Sequence, residues 1–334
     1  MLGKRLLRTV YFSDRGQELA TKLSNSDGGF IVDLYDRDIS IDDWIRDSFD
    51  KRLPILFIGA TGIAVRLIAP FIHSKLTDSP VIVCDELGEH VIPILSGHFG
   101  GANEIATEIA DILNSTAVIT TATDINGVFA IDTFARINGL KINNKSGIKH
   151  ISSKLLAGED ITIRCDIPCN FIGNTPEHVT VIDSGAADVV ISDHDSDGFT
   201  LIPKRLVIGM GCKKGKSFED LHDFVCTKYE EDYLRDNLYG FATIDVKSEE
   251  KGLITLAHYF NARFMVYTAE ELSSLPGEYT DSSFVRDTVG VSNVCERAAI
   301  CGAALSSRQL VLPKEAMDGM TIAVASRQQI DLNW

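Results

Sequence analysis

Short runs of consecutive apolar residues, each closed by a glycine or polar loop and followed by a helix-period segment, constrain this chain more than any other feature. Pro54-Ile-Leu-Phe-Ile58, Val81-Ile-Val-Cys84 and Ala117-Val-Ile-Thr-Thr121 are too short for core helices. They read as strands of a sheet, the first covered on both faces. Between them, Ile63 to Ile72 reads as a buried helix carrying Arg66. Ile105, Ile109, Ile112 and Leu113 recur at helical spacing up to a stop at Asn114. His90 to Leu95, following the Asp85-Glu-Leu-Gly88 turn, reads as the hairpin partner of the second strand.

The last third restarts the same alternation. Strands are expected at Arg205–Ile208, Phe241–Val246 and Phe264–Tyr267, helices at Ser248–Phe260 and Val291–Leu305, and a closing strand pair at Leu310–Leu312 and Thr321–Val324. Phe218, Leu221 and Val225 share one helical face behind Ser217, which with Asp220 resembles a capping box. Between the two alternating regions, the lysine-rich stretch Lys141 to Lys154 reads as an exposed boundary. Short strands follow it at Ile161–Arg164, Val179–Ile182 and Val189–Ile191. The expected fold class is α/β, with two α/β domains joined by a smaller middle segment of short strands. The expected divisions are 1–138, 139–203 and 204–334.

Charge narrows the function. Asp and Glu number 47 against 32 Lys and Arg, a net charge of −15. Such a field repels nucleic acid and anionic membrane, so an anionic small substrate needs a locally basic lining. The N-terminus lacks the apolar core of a signal peptide, and the longest apolar stretch, Pro54 to Ile72, is interrupted by Gly59, Gly62, Arg66 and Pro70. A cytoplasmic protein is expected. The seven cysteines form no C-x-x-C, and all are expected as reduced thiols.

Three motif likenesses dissolve on inspection. Asp193 to Gly198 opens like a calcium loop, but its twelfth position is Lys204 instead of glutamate. Gly209 to Ser217 resembles a P-loop, yet Met210 stands where the first glycine belongs. Its glycines with Lys213, Lys214 and Lys216 are still expected to form an anion site. Gly97 to Gly101 fits neither a dinucleotide fingerprint nor a nucleophile elbow.

Four loops carry the polar groups of a cleft, and all are expected at strand ends on the carboxyl side of the sheet. They hold Thr61, Gly62 and Arg66; Asp85 and Glu86; Ser96, Gly97, His98, Gly100, Gly101, Asn103 and Glu104; and Thr120, Thr121 and Asp124. His98 titrates near neutrality when unperturbed. Gly100 and Gly101 open backbone to a ligand at a helix N-terminus, which favours an anion. Arg66 suits a carboxylate.

At these residues the sequence resembles a known family. Gly59-Ala-Thr-Gly-Ile63, Thr77-Asp78, Asp85-Glu86, Leu95-Ser-Gly-His-Phe-Gly-Gly-Ala-Asn-Glu104 and Val118-Ile-Thr-Thr-Ala-Thr-Asp124 are similar to the N-terminal part of the cobalt-precorrin-5A hydrolase (CbiG) family of cobalamin biosynthesis. Leu206-Val-Ile-Gly-Met-Gly-Cys-Lys-Lys-Gly215, Ala242-Thr-Ile-Asp245, Ala269-Glu-Glu-Leu272, Phe284-Val-Arg286, Gly290-Val291 and Leu312-Pro-Lys314 resemble its C-terminal part, with Lys214 where the family usually has arginine.

The resemblance implies hydrolysis of a cobalt-tetrapyrrole δ-lactone with release of acetaldehyde, giving cobalt-precorrin-5B. The alternative is a non-catalytic tetrapyrrole-binding or channelling module; a phosphotransferase is a weaker third. No cofactor or protein-bound metal is expected, since cobalt arrives in the substrate. Expected catalytic residues are His98, Glu104, Thr121 and Asp124, with His98 or Glu104 as base. Thr61, Gly62, Arg66, Asp85, Glu86, Ser96, Gly97, Gly100, Gly101, Asn103, Thr120, Gly211, Cys212, Lys213 and Lys214 are expected to bind substrate. Expected partners are the substrate, neighbouring enzymes of the pathway and a second copy in a homodimer.

Overall fold

The computed structural model describes residues 2–280, 292–303 and 309–334. The resemblance motifs at Phe284–Arg286 and Gly290–Val291 and the ends of the expected helix 291–305 lie outside them. The chain forms two compact units. One comprises Lys4–Ile125 with Ile254–Asn261; the other comprises Met1–Gly3, Asn126–Leu253 and Ala262–Trp334. The longer segment of the first unit runs to Ile125. No helix among the described residues is long and apolar enough to cross a membrane.

The first unit runs β1 (Arg5–Tyr11), α1 (Asp14–Ser24), β2 (Phe30–Leu34), α2 (Ile41–Asp50), β3 (Ile55–Ile58), α3 (Thr61–Ile68), β4 (Val81–Cys84), β5 (His90–Leu95), α4 (Ala102–Leu113), β6 (Thr116–Ala117) and α5 (Ala122–Ile125). Its sheet has the order β2-β1-β3-β4-β5-β6. The side-chain period of two sorts the core. Leu56, Ile58, Ile82 and Cys84 bury one face against α1 and α4; Ile55, Phe57, Val81 and Val83 bury the other with Trp44, Ile45, Ala64 and Ile68. Helix α4 presents Ile105, Ala106, Ile109, Ala110 and Leu113 to that core and ends at Asn114, whose left-handed backbone caps it as expected.

Helix α3 departs from expectation. Only Ala64 and Ile68 are buried, while Ile63, Val65 and Arg66 are exposed. Apolar residues on its outer face made it read as surrounded by protein.

Strands β1 to β4 are parallel, but β5 returns antiparallel to β4 and β6 follows β5. Leu95 thus lies beside Val81, where β4 begins, and Val91 beside Cys84, where β4 ends. The sheet therefore has two loop-bearing edges, one at each end of β4.

The second unit contains α6 (Ile131–Asn138), β7 (Leu140–Ile142), α7 (Lys145–Leu156), β8 (Ile161–Cys165), β9 (Cys169–Ile172), β10 (Val179–Ile182), β11 (Val189–Ile191) and β12 (Thr200–Pro203). It continues with β13 (Leu206–Cys212), α8 (Phe218–Cys226), α9 (Glu231–Asn237), β14 (Leu238–Ile244), α10 (Lys251–Tyr259, whose last six residues belong to the first unit), β15 (Arg263–Tyr267) and α11 (Ala269–Ser273). Helix α12 (Cys295–Gly302) and strands β16 (Leu310–Met317), β17 (Met320–Ser326) and β18 (Ile330–Asn333) complete it. Its sheets have the orders β10-β8-β11-β12-β7 and β15-β14-β13-β17-β16, with a β18-β9 pair.

The lysine-rich stretch is β7 and α7 instead of a linker, because Ile148, Ile151 and Leu155 bury one helical face. Cys165 and Cys169 are joined by a disulfide, so not all seven thiols are free. The acidic loop after β11 is tied by Asp193 to Arg205 at 2.6 Å and by Asp195 to Asn143.

Candidate active site

The loop between β5 and α4 is closed by its own backbone. Ser96, held at φ 56°, donates its hydroxyl to the Asp78 carbonyl at 3.0 Å. The Gly101 N–H donates to His98 O, Ala102 N–H to Ser96 O and Asn103 N–H to Gly97 O, each at 3.1 Å. Two orphan amides of the α4 N-terminus are therefore already satisfied by loop carbonyls. That corrects the expectation of an open anion site there; the Gly100 N–H is among the loop amides that these three bonds do not use.

The glycines serve this packing. Gly101 adopts φ 82°, and a Cβ at Gly100 would lie 2.6 Å from Ser96 Cβ and 2.8 Å from its carbonyl oxygen.

What the loop delivers is a polar cluster. His98 Nε2 lies 2.6 Å from Asp124 Oδ2 and 3.2 Å from Thr123 Oγ1. Asn103 Nδ2 donates to the same Asp124 oxygen at 2.9 Å and to Thr121 Oγ1 at 3.0 Å. Asn103 and Thr123 are buried, and a Cβ at Gly97 would press within 2.7 Å of Asn103 Oδ1. The His98 side chain is 13 % exposed and that of Asp124 is 41 %, so the pair keeps a face to solvent.

Chemically this is an imidazole oriented by a carboxylate that a buried amide fixes in turn. The Thr121 hydroxyl accepts from Asn103, which frees its own proton to be donated elsewhere. Glu104 is the next residue on α4, about 100° further round the helix. It is exposed, where its charge complements the helix dipole. Thr120 is exposed beside Thr121. Thr123 was missed by sequence reasoning, although it stands within the Thr121–Asp124 motif.

The four loops expected to converge do not. Because β5 runs back, Ser96–Glu104 and Thr120–Asp124 sit where β4 begins. Thr61, Gly62, Asp85 and Glu86 sit where β3 and β4 end, and Gly59 N–H donates to Cys84 O there. One four-residue strand separates the edges, about 13 Å.

Asp85 is a turn organiser. Burial raises its pKa, but hydrogen bonds from the backbone of His90, Glu89 and Leu87 outweigh that and hold its carboxyl below the usual range. Glu86 and Arg66 are exposed, and the space beside Gly62 is open. Phe12, which no sequence motif marked, lies half-exposed against Gly59 at this second edge, where strand order reverses between β1 and β3.

Gly211, Cys212, Lys213 and Lys214 belong to the other unit. Gly211 pairs with Thr321 in the sheet. Burial pushes the Cys212 thiol up to about 11, so it is neutral at physiological pH. The Gly215 N–H of the lysine loop donates to Glu250 at 2.9 Å, and Lys247 pairs with the same carboxylate. The protein's own glutamate thus fills part of the expected anion site. Lys213 lays its stem over Gly319, and Lys213 and Lys214 are exposed.

Comparison with known proteins adds identity to geometry. Residues 43–124 match the model of the cobalamin synthesis G N-terminal domain, residues 129–200 the cobalamin biosynthesis central region, and residues 206–325 the cobalamin synthesis G C-terminus. A cobalt-precorrin-5A hydrolase of Salmonella typhimurium is 33 % identical over 296 residues, covering 84 % of this chain and 83 % of that one. Another, of Priestia megaterium, is 29 % identical, covering 83 % and 79 %. The crystal structure of a cobalamin biosynthesis protein G homolog from Sulfolobus solfataricus is 25 % identical, covers 98 % of both chains and gives a TM-score of 0.43.

Proposed function

We propose, from the premise that this chain belongs to the cobalamin synthesis G (CbiG) family, that its hydrolytic chemistry is carried by the His98–Asp124 cluster of the first unit. The chain is an enzyme, a hydrolase of cobalamin biosynthesis, as its curated relatives are. The reaction we assign is opening of the cobalt-precorrin-5A δ-lactone by water, followed by loss of acetaldehyde to give cobalt-precorrin-5B. The observation that carries the site assignment is the Asp124 carboxylate shared between His98 at 2.6 Å and Asn103 at 2.9 Å.

In the first step His98 takes a proton from water as its oxygen bonds to the lactone acyl carbon. The Asp124 carboxylate beside Nε2 stabilises the imidazolium that forms. Negative charge developing on the acyl oxygen is met by the Thr121 hydroxyl and the Gly100 amide. The acyl–oxygen bond then breaks as the imidazolium returns its proton to the leaving alkoxide, giving an alcohol, a new carboxyl group that ionises to solvent, and a neutral His98.

In the second step His98 removes the alcohol proton. The carbon–carbon bond breaks, acetaldehyde leaves, and the electron pair passes into the conjugated macrocycle, which is reprotonated. Atoms balance as one water in and one acetaldehyde out.

Glu104, on the exposed side of α4, is left outside this cycle. Cobalt enters as part of the substrate, and the steps above route nothing through a protein-bound cofactor. Lys213 and Lys214 suit peripheral acetate and propionate groups, within the unit that carries them. The reaction belongs in the cytoplasm with the rest of the pathway.

Anaerobic incubation with the lactone substrate in oxygen-18 water tests the reading. We expect free acetaldehyde and one heavy oxygen in the new macrocycle carboxylate. Tetrapyrrole binding with no acetaldehyde and no label would instead identify a binding module.

A further inference from the structure

We propose that His222, Cys226 and Glu231 form a binding site for a divalent transition-metal ion of the zinc class, with water as fourth ligand. His222 and Cys226 are four apart on α8, so they share one helical face; Glu231 opens α9 and completes the set. One ligand atom from each lies within 4.8 Å of the other two.

The separations match a tetrahedron. Zinc bonds to nitrogen, sulfur and oxygen at tetrahedral angles place N and S about 3.6 Å apart and N and O about 3.4 Å apart. The observed distances are 3.6 Å from His222 Nε2 to Cys226 Sγ and 3.4 Å from His222 Nε2 to Glu231 Oε2. A nitrogen, a sulfur and a carboxylate oxygen form a donor set that zinc accepts and that calcium and magnesium, as hard cations, do not.

Outer contacts aim the ligands. Asp223 Oδ1 stands 3.4 Å from His222 Nδ1, as the carboxylate partner of a metal-bound histidine does. Arg235 holds the other Glu231 oxygen, Oε1, with Nε at 3.0 Å and Nη2 at 2.6 Å, which turns Oε2 toward the cluster. Binding exchanges one thiol proton of Cys226 for the ion, with no redox change. The site belongs to the unit that does not carry His98, so its role is to pin α8 to α9 and the hydrolytic reading stands or falls separately.

The test uses the full chain free of substrate, so that the substrate's cobalt does not interfere. Metal-free protein is loaded with zinc or cobalt(II) ions and desalted. The expected result is one equivalent retained and, with cobalt, a thiolate charge-transfer band with the intense visible bands of a tetrahedral site. His222→Gln, Cys226→Ser and Glu231→Gln should each lose the visible signature and weaken zinc binding by about 100-fold or more. Cys301→Ser should keep both. Circular dichroism of each metal-free variant separates a lost ligand from a lost fold. Failure of the wild type to retain metal, or retention of wild-type affinity by any of the three variants, overturns the site.

Discussion

Replacing Asp124 by asparagine isolates the contribution of charge within the cluster. The side chain keeps its size, but its single carbonyl oxygen must now satisfy donors from both His98 and Asn103, which Asp124 meets through one carboxylate oxygen at 2.6 and 2.9 Å. If the new amide nitrogen faces them instead, donor opposes donor. In either case the imidazolium formed during water attack loses its counter-charge.

Loss of the equivalent carboxylate in a serine-protease triad costs about 10⁴ in turnover. Here Asp124 is 41 % exposed, and water replaces part of what is lost. We therefore expect a fall in kcat of about 10² to 10³, or about 3–4 kcal/mol of transition-state stabilisation. Acetaldehyde is read continuously by alcohol dehydrogenase and NADH, and substrate binding by the tetrapyrrole absorbance. Binding and thermal stability should change little. A kcat within about threefold of wild type in a folded Asp124→Asn protein would refute the orienting role.

Other substitutions probe the loop and the fold. Gly97→Ala drives a methyl to within 2.7 Å of Asn103 Oδ1 and should lower kcat about tenfold or more through the displaced amide while the protein stays folded by circular dichroism. Gly100→Ala places its Cβ against the Ser96 side chain and carbonyl, and urea denaturation should show a loss of about 1–3 kcal/mol. His258 titrates at about 4 in the folded chain, lowered by burial and then by the charge of Arg5, against 6.5 unperturbed. Between those values the unfolded chain holds a proton that the folded one lacks, so stability is complete above pH 6.5 and falls toward pH 4 by up to about 1.4 kcal/mol per pH unit. His258→Gln should flatten that slope in urea titrations at pH 7, 6 and 5; an unchanged slope would assign it to other groups.

Elements that depend on local pattern were legible in the sequence. Two of the three apolar runs became β3 and β4, while of Ala117–Thr121 only Ala117 lies in a strand, β6; His90–Leu95 became the antiparallel partner of β4, and Asn114 ended α4. His98, Asn103, Thr121 and Asp124 were all marked, and the fold brings them within hydrogen-bonding distance.

The errors arose where one signal masked another. An antiparallel β5 already implies that Ser96 leaves the sheet opposite Asp85, and the carboxyl-end rule for parallel sheets holds only for the loops after β3 and β4. Lysines hid the Ile148, Ile151 and Leu155 stripe of α7, while Ile63 and Val65 on the outer face of α3 imitated burial. His222 and Cys226 stand one helical turn apart, a weaker sequence signal for a metal than a pair of cysteines. Glu231 joins them only through the approach of α9.

Turnover by a His98→Ala protein bears most directly on the claim that this imidazole activates water. The variant should bind the lactone tetrapyrrole with wild-type affinity, release no acetaldehyde above the uncatalysed rate, and leave the macrocycle mass unchanged. Acetaldehyde release at the wild-type rate would contradict it.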